Sequence, residues 1–269
     1  MGSAAKERYR DMRKHLMWTL ALGAAIAVAV AGIATAAKPT VVRAGNMILT
    51  VNGNVSPTAL PKNELAPIKL SVSGGIRTVD GTHPPAAKTI TVDFDKNGTT
   101  NAKGLPACKA GQLQARDTTT AKKACPDAIV GKGVTKVRVA FPDQAPFSAT
   151  GPLVLFNGGV KGGVTTMLIH AYVNVPTPTA LVTTVRITKE HKGKFGTKAV
   201  ATIPTIAGGS GSVTDFNLTV NRKFTYKGKK QSYLLAKCAT GKFYAHGTAL
   251  FSDGTRISGD VVRNCTQKG

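Results

Sequence analysis

From residue 47 onward, apolar and polar residues alternate along most of the chain. In the first half the alternation runs through M-I-L-T-V-N-G-N-V (47–55), I-K-L-S-V-S (68–73), T-I-T-V-D-F-D (89–95), V-T-K-V-R-V-A-F (134–141) and P-L-V-L-F-N-G-G (152–159). In the second half it runs through T-T-M-L-I-H-A-Y-V (165–173), A-L-V-T-T-V-R-I-T-K (180–189), V-T-D-F-N-L-T-V (213–220), K-F-Y-A-H-G-T-A-L-F (242–251) and R-I-S-G-D-V-V (256–262). A period of two sends successive side chains to opposite faces of a strand, and β-branched residues suit that pleated surface. Asn-Gly, Gly-Gly, Asp-Gly and Lys-Gly dipeptides separate the runs at hairpin spacing. The pattern predicts an all-β fold, an antiparallel β-sandwich of jelly-roll-like or Greek-key type with about ten or more strands. Its clearest hairpin has Ser252-Asp253-Gly254-Thr255 turning strand 242–251 back on 256–264.

One stretch departs from this rhythm. Residues 112–125, Q-L-Q-A-R-D-T-T-T-A-K-K-A-C, are rich in helix formers, start at Asp117/Thr118 and stop at Pro126. They predict a short helix or two in an insertion near 105–128.

The N-terminus reads differently again. A basic segment, K-E-R-Y-R-D-M-R-K-H (6–15), precedes an uncharged apolar run from Leu16 to Ala34, and Ala34-Thr35-Ala36 offers small residues at a cleavage position. That is the outline of a secretory signal peptide, here 1–36. The run approaches the roughly 20 residues that span a bilayer, so an uncleaved anchor over 16–34 is the alternative. Residues 37–269 follow as one exported β-domain, with a division into two β subdomains near residue 145 as the other arrangement.

Cys108, Cys125, Cys238 and Cys265 all lie in this exported part. Export, an even count and the lack of a C-x-x-C pair favour two disulfides over metal ligation. The pairing expected is 108–125 around the helical insertion and 238–265, since a strand over 231–238 brings Cys238 beside the C-terminal hairpin.

Charge then changes the picture. The chain has 36 Lys and Arg against 13 Asp and Glu, a formal +23; residues 1–36 hold five basic and two acidic residues, leaving +20 on the exported part. Twelve basic residues fall between Arg186 and Lys242 against Glu190 and Asp215 alone. The candidate anion-binding residues are Lys189, Lys192, Lys194, Lys198, Arg222, Lys223, Lys227, Lys229 and Lys230. The turns His191-Lys192-Gly193-Lys194 and Lys227-Gly228-Lys229-Lys230 read as hairpin tips; on one end of the fold they make a cationic patch that attracts polyanions. Export and the few neighbouring aromatics (Phe195, Phe224, Tyr226) argue against nucleic acid, which needs a stacking platform in this setting. Envelope phosphates, teichoic-type polymers, anionic lipid headgroups and acidic glycans fit the compartment.

Other chemistry is thinner. Asp93-Phe94-Asp95-Lys96-Asn97-Gly98 matches the first half of an EF-hand calcium loop, with Asp93, Asp95 and Asn97 as candidate calcium ligands, but Gly104 stands where the bidentate glutamate belongs. Gly208-Gly209-Ser210-Gly211-Ser212 lacks the last glycine and the α/β context of a nucleophile elbow. His83, His170, His191 and His246 read as strand or turn residues unless two of them converge. The exported part has two glutamates, Glu64 and Glu190, and no phosphate loop or zinc-protease helix. These absences weigh against an enzyme. The sequence therefore points first to a non-catalytic envelope protein with a basic binding region, second to a calcium-stabilised extracellular interaction domain, and third to an envelope hydrolase whose site is assembled from distant strands.

Overall fold

The computed structural model describes residues 38–174 and 177–268. The expected signal or anchor segment, 1–36, lies outside them. Its strands are β1 (Thr40–Ala44), β2 (Met47–Ser56), β3 (Ala59–Pro61), β4 (Ala66–Pro67), β5 (Lys69–Thr78), β6 (Ala87–Asp95) and β7 (Gly98–Thr100), then a helix α1 (Thr118–Ala124). There follow β8 (Ile129–Val139), β9 (Phe147–Lys161), β10 (Val164–Val173), β11 (Thr179–Lys192), β12 (Phe195–Thr202) and β13 (Gly211–Val220). The chain finishes through β14 (Lys223–Tyr226), β15 (Lys229–Ser232), β16 (Leu234–Ala236), β17 (Lys242–Phe251), β18 (Arg256–Asn264) and β19 (Thr266–Lys268).

Twelve strands form one continuous sheet in the order β1-β2-β5-β13-β8-β9-β10-β11-β12-β6-β17-β18. Every neighbouring pair in it is antiparallel. All ten alternating runs of the sequence fall in these strands. β12 was not among them, because F-G-T-K-A-V-A-T offers little apolar contrast between its two faces.

The sheet turns back on itself, so its first and last strands meet. Thr40 Oγ1 donates to the Asp260 carbonyl at 3.0 Å, and the absence of a side chain at Gly259 leaves room for Val42. Arg263 on β18 fastens the seam, its Nε donating to Gly53 O at 2.6 Å and Nη2 to Asn52 Oδ1 at 2.7 Å. Edge strands with unpaired backbone groups invite association with other chains, and here each edge covers the other. Met47 and Ile76 from the β2–β5 side pack with Ala249, Phe251 and Ile257 from β17–β18.

β9 and β10 are covered on both faces. Leu153 and Leu155 point into a core with Val130, Ala171, Val220 and Tyr233. Val154, Phe156 and Leu168 face the other way, against Leu113, Ala121, Cys108 and Cys125 of the helical insertion. P-L-V-L-F, read in the sequence as an alternating run, is continuously apolar, and this double burial is the reason, since a half-exposed strand would alternate.

Asp117 caps α1, accepting from Thr120 N at 2.8 Å, as its sequence position suggests. Both disulfides join the expected partners, Cys108–Cys125 and Cys238–Cys265. No helix among the described residues is long and apolar enough to cross a membrane.

Because sheet neighbours alternate in direction, the connections sort onto two ends. The first end holds residues 57–68, 96–128, 162–163, 193–194, 221–241 and the tail 265–268; the second holds 45–46, 79–86, 140–146, 174–178, 203–210 and 252–255. The first end is the elaborate one. Both disulfides lie there, and three small sheets knit it together: β14 with β15, β4-β16-β7, and β3 with β19.

Candidate functional site

The connections at the two ends differ in charge. At the first end the connections carry Lys62; Lys96, Lys103, Lys109, Arg116, Lys122 and Lys123; Lys194; Arg222, Lys223, Lys227, Lys229, Lys230 and Lys237; and Lys268, fifteen basic residues against Glu64, Asp117 and Asp127. At the second end the connections contain no Lys or Arg and carry Asp80, Asp143 and Asp253. Fifteen further Lys and Arg lie on the strands of the large sheet, with Arg43, Arg77, Lys88, Arg138 and Arg256 close to the second end, so the first end holds a local excess, and a local excess gives the field a direction.

Both basic hairpin tips belong to the first end, and one segment links them. The β11–β12 tip docks on the β6–β7 turn, with Lys96 N donating to Lys194 O at 3.0 Å and Lys96 Nζ to Gly193 O at 3.4 Å. From there β7 pairs with β16, and Asn101 N donates to Tyr233 O at 2.8 Å. Asn101 Nδ2 donates to Gln231 Oε1 at 3.1 Å. The segment ends at Gly104, which the Tyr226 ring of the β14–β15 tip covers so closely that no side chain fits. An extended chain gains at most about 3.3–3.6 Å per residue, so residues 96–104 hold the two tips within about 30 Å.

Local geometry explains the tips. Lys227 and Gly228 have φ of 49° and 72°, the left-handed pair that a two-residue type I′ hairpin requires and that glycine adopts without strain. Lys194 Nζ sits 4.6 Å from the centre of the Tyr244 ring and 5.3 Å from that of Phe195. Its charge is thereby held near the surface by cation–π attraction.

The nine candidate anion-binding residues do not form one uniform set. Lys189, Lys192, Lys194, Lys223, Lys227, Lys229 and Lys230 are exposed. Arg222 is half-buried, 4.0 Å from Asp127. Lys198 stands apart on the sheet face, its Nζ 3.3 Å from Glu190 and 3.6 Å from Asp93. The hydrogen bond to Glu190, followed by the charge of Asp93, raises its pKa. Lys96, Lys103 and the insertion's basic residues join the same end, which the sequence reading had not singled out. They join it through the strand pairings, which bring connections far apart in sequence to one end.

Asp93, Asp95 and Asn97 are buried. Asp95 Oδ1 accepts from Asn97 N at 2.9 Å and Asn97 Nδ2 at 2.8 Å, while Oδ2 accepts from Tyr244 N at 3.1 Å. Asn97 O in turn accepts from Lys237 N at 3.0 Å. Asp93 turns to Lys198. The D-F-D-K-N-G segment is thus engaged in fixing the turn that carries Lys96 beneath the β11–β12 tip. Among the described residues no three His, Cys, Asp or Glu side chains are placed to hold a metal ion.

The histidines occupy separate settings and share no hydrogen-bond partner. His83 Nε2 lies 3.1 Å from Ser212 Oγ, whose own proton goes to Pro84 O at 2.6 Å. His83 is therefore the donor in that pair, and Ser212 is not activated as a nucleophile. His246 Nδ1 lies 2.8 Å from Asp260 Oδ1 on the sheet face. His170, fully buried under the insertion, donates from Nε2 to Arg116 O at 2.9 Å.

Burial lowers the pKa of His170, and burial and then Arg138 lower that of His83. Each imidazole therefore holds its proton less firmly in the fold than in the unfolded chain, where it titrates near pH 6.5. Below that pH the unfolded state holds more protons, so stability is full above about pH 6.5 and falls as the pH drops. Thermal melts at pH 7.5 and pH 5 should show the lower midpoint at pH 5. His170→Gln, which keeps a donor for Arg116 O, should shrink that difference; an undiminished difference in the variant rules His170 out as a source.

Away from the basic end, an open groove of about 900 Å³ crosses the β2, β5, β13 and β8 strands, lined by Thr50, Asn52, Ser73 and Asn217 with Arg77, Lys136, Arg138 and Asp215. Asp215 is its one carboxylate and no histidine lines it. No protein-family model, curated protein or solved structure matches the chain.

Proposed function

We propose that residues 37–269 form an exported, non-catalytic binding protein whose basic end holds anionic polymers or surfaces of the cell envelope. One observation carries the reading: fifteen Lys and Arg stand in the connections of one end and none in those of the other. A surface that needs charge only for solubility has no reason to concentrate it so. Two disulfides at that end suit an oxidising compartment outside the cytoplasm. They also suit a role in which the end must keep its shape away from chaperones. On this reading the sheet is a flattened sandwich closed edge to edge, and it serves as a rigid base for the elaborated end.

The test uses the full-length protein in mild detergent on immobilised polyphosphate. The wild-type chain should bind at 0.15 M salt, on the order of the physiological ionic strength at which the Debye length is about 8 Å, and elute as salt rises. The combined reversal Lys192→Glu, Lys194→Glu, Lys229→Glu and Lys230→Glu should weaken retention at least about tenfold, by the steering and salt arguments that govern exposed charge. Retention that is unchanged by the reversal and independent of salt overturns the proposal.

A further inference from the structure

Two further features bear on what lies opposite the basic end, and we infer that it is a lipid bilayer bearing anionic headgroups. This rests on the polyanion reading above and narrows it.

The first feature is breadth. The cations come from separate connections, with Lys62, Lys109, Lys194, Lys229 and Lys268 each from a different stretch of the end. A single phosphate calls for donors converging on one point. A spread of exposed, unconverged cations matches an extended anionic surface, where each charge acts within a Debye length of the headgroups.

The second feature is apolar. Leu65 is 49% exposed in the β4 approach and Val160 is 59% exposed at the end of β9. Both are at the basic end; Leu65 follows Lys62 by three residues and Val160 directly precedes Lys161. Large apolar side chains flanked by lysines are the pattern that enters the headgroup layer, the apolar group reaching into the acyl boundary while the ammonium groups stay with the phosphates. A soluble polyanion gives such side chains nothing to bury against.

The experiment reads lysine reactivity in the full-length chain reconstituted with vesicles. Acetylation rates are measured residue by residue by mass spectrometry in vesicles of phosphatidylcholine alone and in vesicles containing 30% phosphatidylglycerol. A third sample, in detergent, is read with and without soluble polyphosphate. Lys62, Lys194 and Lys229 should be protected about fivefold or more in the anionic vesicles relative to neutral ones, with protection relieved at 0.5 M salt. Lys88 and Lys136, which lie away from that end, should react alike in both. Equal rates at the basic end in the two vesicle types, with protection by polyphosphate, overturn the bilayer inference and leave the polyanion reading standing. Protection by neither overturns both.

Discussion

Gly133→Ala should destabilise the domain by about 3 kcal/mol, toward the upper part of the range for forcing extra volume into a packed interior. A methyl group built on Gly133 would collide with the carbonyl oxygen of Asn217 and stand 2.9 Å from Leu218 Cα. These are backbone atoms of β13, so no side-chain rotation relieves the contact and the β8–β13 ladder has to open. Gly131, two residues away on the same strand, meets the Thr219 carbonyl in the same manner. β8 and β13 lie near the middle of the twelve-stranded order, where a separation cannot be absorbed at an edge. For a domain of about 230 residues such a loss lowers the melting midpoint by roughly 6–12 °C. Gly111→Ala is the control: nothing lies within 4 Å of its added methyl, and the change should stay within about 0.5 kcal/mol. Equal melting points for the two variants would show that β8 and β13 do not approach as described.

Removing the Cys108–Cys125 bridge by a double change to alanine should cost a comparable amount. The bridge spans 17 residues, and a loop of that size is worth about 3 kcal/mol when closed in the unfolded chain, on the chain-entropy account. A second loss follows from packing. The insertion it closes places Leu113 and Ala121 over Phe156 and Leu168, and Leu113 and Phe156 are both fully buried. If the insertion loosens, that outer face of β9 and β10 is wetted and His170 loses its cover. Denaturant titration should show a lower midpoint for the double variant, and hydrogen exchange should rise first in residues 105–128. Exchange unchanged in that segment would mean that packing alone holds the insertion, with the bridge redundant. The variant also bears on function, because Lys109, Arg116, Lys122 and Lys123 ride on this segment. Polyphosphate retention should weaken with the loosened insertion, though less than after reversing the four tip lysines.

Lys198 shows how charge of one sign can serve two ends. It lies within the basic stretch of the sequence, yet its ammonium group is held by Glu190 and Asp93 on the sheet face. It ties β11, β12 and β6 together where Lys229 and Lys230 reach solvent. Adding charges along the chain treats these lysines alike, and only their neighbours across the sheet separate them.

Much of the fold was legible before any coordinates. The alternating runs located the strands because a sheet with one covered face writes a period of two into the chain. The Asp117 cap and Pro126 stop located α1, and the C-terminal hairpin brought Cys238 to Cys265 because a tight turn fixes register locally. β12 was illegible for the reason it is structurally ordinary: Ala199 and Ala201 fill their positions without apolar bulk. The order of strands was also out of reach. β5 and β6 follow one another in the chain but stand seven places apart in the sheet, and nothing local in sequence encodes a pairing between distant segments.

The candidate site divides in the same way. The sequence by itself determined the excess of positive charge and its concentration in two turns, and it favoured the disulfide pairs that the structure shows, since composition and short-range geometry are properties of neighbours along the chain. Only the tertiary structure decided that both turns share an end with the helical insertion, that Asp93 and Asp95 serve Lys198 and Asn97, and that the opposite end bears no basic residue in its connections. The reason is physical. Antiparallel pairing sends successive connections to opposite ends, so charges far apart in sequence become one surface, and which charges join it depends on long-range pairings that no short segment specifies.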